Sequence, residues 1–183
     1  MLENIFNRLK YLASKDKILK NSLLNILKEF SKTISVFDQM NVSILVRKEL
    51  KDIQGAYKEG FLEIYVKYFI LRIKDIKENT KDYKNDIIDK NSFIESIKLL
   101  EKQKDLKEEE NKNERKLRLI YIVISLYTTF ILDEPIHPVG SPFPGGLTVE
   151  FKNGTYYCPV KENNKDNPKA VCQFCIAKQT PKF

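Results

Sequence analysis

Apolar residues recur every three or four positions along most of this 183-residue chain. The spacing predicts a first helix over residues 2–12, a second over about 19–37, and a third helical region over about 42–76. A short polar connection is expected at 38–41. The last helix is predicted over about 114–132, where nearly every position is apolar, so it is expected to lie centrally among the others.

Between the third region and the last helix the pattern is weaker. Residues 79–90 are polar, with a further helical turn or two expected. Ser92 and Glu95 are spaced as a capping box, which predicts a helix start there. The charged stretch 101–116 fits either a solvated helical extension or a mobile loop. Gly55 and Gly60 could bend or split the third region, and no proline precedes residue 135, so long helices are permitted.

The tail from Pro135 onward follows a different pattern. Prolines and glycines crowd residues 135–146, which excludes a helix and permits sharp turns. Alternating apolar and polar positions over 147–151 and 155–160 flank Asn153-Gly154, a strong hairpin signal. The predicted hairpin would place Val149 opposite Cys158 and Phe151 opposite Tyr156, with the cysteine facing inward.

The predicted fold is therefore mainly α. A multi-helix bundle occupies residues 1–134. The tail, residues 135–183, packs on it as a Pro/Gly-rich loop, a β-hairpin and a Cys/His metal-binding segment. More than half of the chain should be helix, and the hairpin should be the only sheet.

Metal-binding side chains are confined to this tail. It holds the single histidine, His137, and all three cysteines, Cys158, Cys172 and Cys175. The Cys-x-x-Cys spacing lets two thiolates bind one ion from a single turn, and with Cys158 and His137 a closed Cys3His zinc site can form. Three cysteines can also hold an iron–sulfur cluster with one open iron, which is the alternative cofactor.

Other chemistry is less well supported by the sequence. A redox cysteine pair lacks a surrounding βαβ pattern, and plain buried thiols are the remaining interpretation. Ser141 with His137 suggests a nucleophile and base, but no orienting carboxylate is placed beside them, so the pattern leans away from an enzyme. Asp133 and Glu134 could support His137 from outside a metal site, although an exposed helix end explains them more simply.

The charge distribution and the lengths of the apolar segments argue against two classes of partner, nucleic acids and membranes. The net charge of +7 is spread over bundle and tail without a concentrated basic stripe, which disfavours nucleic-acid binding. The most apolar segment, residues 119–132, is too short to span a bilayer. No export signal follows Met1, so a reduced cytoplasmic location is expected, with the cysteines as metal ligands before disulfides.

Three tail motifs carry a resemblance to known sequences. They are His137-Pro-Val-Gly-Ser-Pro-Phe-Pro-Gly-Gly146, Tyr156-Tyr-Cys-Pro-Val-Lys161, and Asp166-Asn-Pro168 followed by Cys172-x-x-Cys175. The chain resembles an uncharacterised protein family of methanogenic archaea, whose helical front is similar in length. The resemblance implies a cytoplasmic protein of an anaerobe and carries no activity, cofactor or site residues with it.

The function predicted from the sequence is a small cytoplasmic metal-binding protein, most consistent with zinc. It would serve as a binding or assembly module whose ion closes the tail, and its partner would be another protein that the sequence does not identify. The alternative is a metalloenzyme or iron–sulfur protein with an open coordination position near His137. Oligomeric state and pathway are not encoded in any motif.

Overall fold

The computed structural model of the protein describes residues 2–49, 58–105 and 111–181. Helix makes up 59% of the chain, which confirms the prediction of a mainly helical fold with more than half helix. The helices of the described residues are α1 (Leu2–Ala13), α2 (Lys20–Lys32), α3 (Val36–Glu49), α4 (Lys58–Glu78), α5 (Lys90–Asp105), α6 (Lys112–Phe130) and the single turn α7 (Lys161–Asn164).

The break between α2 and α3 lies earlier than the pattern predicts. The second helix ends at Lys32, and α3 runs through the predicted connection 38–41. The cause is a local cap: the Ser35 hydroxyl accepts the N–H of Asp38 at 3.1 Å, and the Asp38 carboxylate accepts the N–H of Ser35 at 2.9 Å. This reciprocal pair starts a helix whatever the apolar spacing suggests.

The capping prediction at Ser92 is also wrong in position. Helix α5 begins at Lys90, and the Asp89 carboxylate accepts the N–H of Ser92 at 2.8 Å, so Asp89 is the capping residue. A complete capping box occurs instead at Asn111 and Glu114, at the start of α6. The stretch 101–105 continues α5, while 106–110 and Gly55 lie outside the described residues.

Sheet is more widespread than predicted. Residues 79–90 contain a strand rather than only helical turns, because β2 (Ile87–Ile88) pairs antiparallel with β1 (Ile18–Leu19). In the tail, β3 (Pro142–Phe143) pairs with β4 (Leu147–Thr148), separated by a 3-10 turn. The hairpin is therefore one of three small sheets in the described part of the chain, and the prediction of a single sheet is wrong.

The hairpin itself is confirmed. Strands β5 (Glu150–Lys152) and β6 (Thr155–Cys158) are antiparallel, with Phe151 opposite Tyr156. Both turn residues have positive φ, 50° at Asn153 and 74° at Gly154, as the Asn-Gly signal requires. A third strand, β7 (Lys178–Gln179), adds in parallel to β6 and brings the chain end beside Cys158.

Helix α6 is the centre of the bundle, as its apolar sequence predicts. It packs against α2, α3, α4 and α5, and almost every residue from Leu119 to Phe130 is buried. The tail packs against the same core through Val171, which is buried, and Phe174, which is half-buried. Among the described helices, none combines the length and apolar character needed to cross a membrane.

Candidate functional site

The three cysteines meet where the hairpin, the chain end and the Cys-x-x-Cys turn converge. Cys158 ends β6 and is only 5% exposed. Cys158 and Cys175 belong to one small apolar cluster with Phe143, Val149 and Ala177. The thiols of Cys175 and Cys158 are close enough to Cys172 to raise its pKa. The three cysteines therefore lie in one region of the tail, and their role as metal ligands stays a prediction.

Cys158 has a local environment suited to a thiolate. The backbone N–H groups of Val160 and Lys161 donate hydrogen bonds to its sulfur. Such bonds stabilise negative charge on the sulfur and hold its orientation. The sequence Cys158-Pro159-Val160-Lys161 turns back on itself to form this arrangement, a feature that apolar periodicity does not reveal.

The pKa values of Cys158 and Cys172 are raised, so both thiols keep their protons at neutral pH. Burial raises the pKa of Cys172 to about 11, with further increases from the neighbouring thiols of Cys175 and Cys158. Burial likewise raises the pKa of Cys158, against the opposing effect of its backbone hydrogen bonds and Lys161. At neutral pH these two groups are protonated and therefore poor nucleophiles, which weakens the redox interpretation of the pair.

As positioned, the side chains do not enclose an ion. Among the described residues, no three His, Cys, Asp or Glu side chains lie in an arrangement that could hold a metal. A site that forms only with its metal is common, because like-charged thiolates repel each other until a cation joins them. The zinc and iron–sulfur assignments therefore remain predictions.

Lys161 and Gln179 hold the cysteine region in place, and neither was singled out from the sequence. The Lys161 ammonium donates to the carbonyl oxygen of Cys175 at 2.6 Å. The Gln179 amide donates to the carbonyl oxygen of Pro159 at 3.0 Å. Both bonds join segments far apart along the chain, so only the tertiary structure could reveal them.

The ring of His137 packs edge-on against Phe143, which belongs to the same apolar cluster as Cys158, with ring centroids 5.4 Å apart. It lines a cavity of about 50 Å³ with Arg72, Tyr121 and Ser141. Burial lowers the pKa of His137 to about 4. His137 as the fourth metal ligand remains a prediction.

Tyr121 connects the two regions. It lines the His137 cavity, and burial raises its pKa, with added increases from the Cys172 and Cys175 thiols. The tyrosine was concealed within the apolar run of α6. Its placement makes it the side chain shared by the thiol region and the histidine pocket.

The neutral state of His137 predicts a pH dependence of folding. The unfolded ring has a pKa near 6.5, so between about pH 6.5 and 4 the unfolded chain binds the extra proton, and stability falls as the pH falls. Without metal, we expect a loss of about 2 kcal/mol by pH 4.5 from this group. Urea unfolding across this range would measure it.

His137→Gln provides the comparison, because carboxylates contribute equally to both proteins. The chain has no other histidine, so the difference between the two stability curves isolates this ring. Parallel curves for the wild type and the variant would show that the ring is accessible to protons in the folded protein.

Asp133 and Glu134 have partners on the bundle. Asp133 forms an ion pair with Lys20, whose side chain is only 10% exposed, and Glu134 pairs with Arg72 of α4. The two carboxylates thereby join the end of α6 to α2 and α4, just before the tail begins. Asp133 is exposed and Glu134 half-exposed, as expected for a helix end, and each also has an ion-pair partner.

Comparison with known proteins gives the family. Residues 19–180 match the model of a family described as an uncharacterized protein conserved in archaea (DUF2115). The chain belongs to this family. The match covers α2 to α6 and the whole cysteine region, and it confirms the resemblance drawn from the tail motifs.

Similar proteins from methanogenic archaea support the assignment to this family. A UPF0305 protein of Methanothermobacter thermautotrophicus is 34% identical over 157 residues, covering 86% of this chain and 94% of the relative. A UPF0305 protein of Methanococcus maripaludis is 33% identical and covers 83% and 91%. One from Methanocaldococcus jannaschii is 27% identical and covers 85% and 93%. No solved structure matches the chain.

Proposed function

We propose that this DUF2115 protein is a small metal-binding module in which Cys158, Cys172 and Cys175 hold a single ion, with zinc as the preferred metal. The observation that supports the proposal is the convergence of the three thiols, one of which already accepts two backbone N–H groups. A cytoplasmic location and a role in binding or assembly of other proteins complete the proposal.

The ion would close the tail on itself. Cys158 is at the end of the central strand of the three-stranded sheet, and the Cys-x-x-Cys turn lies more than a dozen residues further along the chain. A metal joining them would shorten a long loop and add folding free energy to that segment. Helices α1 to α6 bury their own core and would not depend on it.

The alternative form of the site leaves one coordination position near His137 open to water or another molecule. Three protein ligands and one exchangeable group is the arrangement of zinc sites that interact with a further molecule. In this form Tyr121, whose pKa is raised in part by the Cys172 and Cys175 thiols, would offer a polar group from the bundle.

Metal analysis tests the proposal directly. Protein purified without oxygen should contain one zinc per chain, and replacement by Co²⁺ should give the intense visible bands of a tetrahedral, sulfur-rich site. A brown protein with iron and labile sulfide would indicate the cluster instead. Purified and reconstituted protein that binds neither metal would contradict the proposal.

Removing the metal should loosen the tail and spare the bundle. With a strong chelator, we expect amide hydrogen exchange to accelerate by at least about tenfold in residues 155–180, since the ion supplies much of their local stability. Amides of α6 act as the internal control and should change little. Equal protection of the tail with and without chelator would exclude a structural ion.

A further inference from the structure

The cavity beside His137 lies between α4, the middle of α6 and the loop that follows α6. Its volume is about 50 Å³, and much of its wall is apolar, with Ile64, Ile124 and Ile136 on it. One water needs roughly 10–15 Å³ of such space, so the cavity has room for about four waters or for one molecule of about three to five non-hydrogen atoms.

Ser141 contributes a hydroxyl group that has no partner. The residue is only 2% exposed and lines the cavity. Its backbone is fixed, because its N–H donates to the carbonyl oxygen of Pro138 at 3.0 Å and its carbonyl oxygen accepts the N–H of Val149 at 3.1 Å. The hydroxyl forms no hydrogen bond with the rest of the chain. The sealed, unpartnered side-chain oxygens of the described residues are all threonine hydroxyls, so the Ser141 hydroxyl remains reachable from the cavity.

Tyr121 contributes a second hydroxyl group to the same lining. Its phenol likewise forms no hydrogen bond with the rest of the chain and is not sealed off, although a buried tyrosine hydroxyl usually finds a partner. A hydroxyl can both donate and accept a hydrogen bond. Two such groups in a largely apolar cavity therefore suit a molecule that itself carries a donor and an acceptor.

The charges around the cavity are already compensated. Arg72 is the one Lys or Arg side chain on the described lining, and its guanidinium pairs with the carboxylates of Glu134 and Asp75. The ring of His137 is uncharged at neutral pH, because burial lowers its pKa to about 4. A charged ligand would lose its water without gaining a free opposite charge, which is costly. The cavity therefore favours a neutral molecule.

We propose that this cavity binds a small neutral molecule with both a hydrogen-bond donor and an acceptor, such as a short-chain amide or alcohol. Its polar end would bond to the hydroxyls of Ser141 and Tyr121, and its alkyl part would lie against the isoleucines of the wall. The inference goes beyond metal binding and does not require an ion at the cysteines.

The probe is acetamide, with acetate and acetamidinium as anionic and cationic counterparts of nearly the same shape. In an NMR titration, acetamide should shift the backbone amides of Tyr121, His137 and Ser141 in a saturable way, with a millimolar dissociation constant suited to so small a molecule. We expect acetamide to bind at least about fivefold more tightly than either ion, because both ions must leave water without a free counter-charge.

Two variants and a control complete the test. Ser141→Ala and Tyr121→Phe each remove one hydroxyl and should each weaken acetamide binding by at least about threefold, and either variant tests the site if the other fails to fold. Ser31→Ala is the matched control: Ser31 is also buried, but its hydroxyl donates to the carbonyl oxygen of Lys28 at 2.9 Å, away from this lining. Binding in the control should be unchanged. Absence of saturable shifts, which would mean a cavity filled by water only, would overturn the proposal. Equal binding of the three probes, or variant effects no larger than that of the control, would overturn it as well.

Discussion

Substituting serine for Cys158 should lower the affinity of the protein for zinc by at least about 100-fold. Loss of a residue that only supports a ligand costs 10- to 100-fold, so loss of a ligand should exceed this. Cys158 is fixed by strand pairing and by two N–H groups on its sulfur, which makes it the best-ordered of the three thiols. Competition with a chromophoric chelator, without oxygen, measures the affinity.

His137→Gln is the matched comparison for this variant. If the fourth position is open, His137 is not a ligand, and we expect its replacement to change zinc affinity by less than about tenfold. A loss as large as that of Cys158→Ser would instead establish His137 as a ligand and a closed Cys3His site. Full retention of affinity by Cys158→Ser would contradict the three-thiol site itself.

The raised thiol pKa values add a second signature to the same experiment. Cys158 and Cys172 must each release a proton to bind the ion, and both remain protonated throughout the neutral range. Because Cys175 must also become a thiolate, the apparent zinc affinity should increase by at least about 100-fold for each pH unit between pH 6 and 8, corrected for the chelator. An affinity that does not vary with pH would show that the ion binds elsewhere.

Phe130→Ala should be the most damaging single substitution for stability that also affects the tail. The side chain is 7% exposed and lies between Phe93 of the bundle and Phe174 of the cysteine loop. Truncating a buried phenylalanine costs about 3–5 kcal/mol through lost burial and the cavity left behind. The free energy of unfolding from urea titrations gives the value.

Phe151→Ala is the control for that substitution. Phe151 also contacts an aromatic ring, Tyr156, at 4.5 Å, but it is 53% exposed on the hairpin. We expect a loss of about 0.5 kcal/mol, typical of a surface cross-strand pair. Hydrogen exchange of residues 171–176 should accelerate in Phe130→Ala and stay unchanged in the control. A loss below about 1 kcal/mol in Phe130→Ala would show that the loop is held by other contacts.

Much of the helical architecture was open to prediction because its causes are local. The first helix and α6 follow directly from apolar spacing in a region without proline. The Asn153-Gly154 turn likewise defines the hairpin register, because its two residues tolerate positive φ. The errors were at helix ends, where a cap from Ser35 or Asp89 outweighed periodicity.

The short strands escaped prediction for a physical reason. Ile18 and Ile88 pair across the molecule, and each strand has only two residues, too few for an alternating pattern. The same holds for β7, which is defined only by its parallel pairing with β6. Such pairings depend on tertiary packing that brings distant segments together.

By itself, the sequence determined that the protein is mainly helical, that it belongs among uncharacterised archaeal proteins, and that its cysteines and histidine are confined to one tail. The types of residue and their spacing carry that information locally. Only the tertiary structure decided that Cys158 and Cys175 share an apolar cluster with Phe143, that His137 packs against that same ring, and that α5 and Cys175 border one cleft. These relations depend on the packing of residues separated by many positions, because burial and contact arise only when the chain is folded.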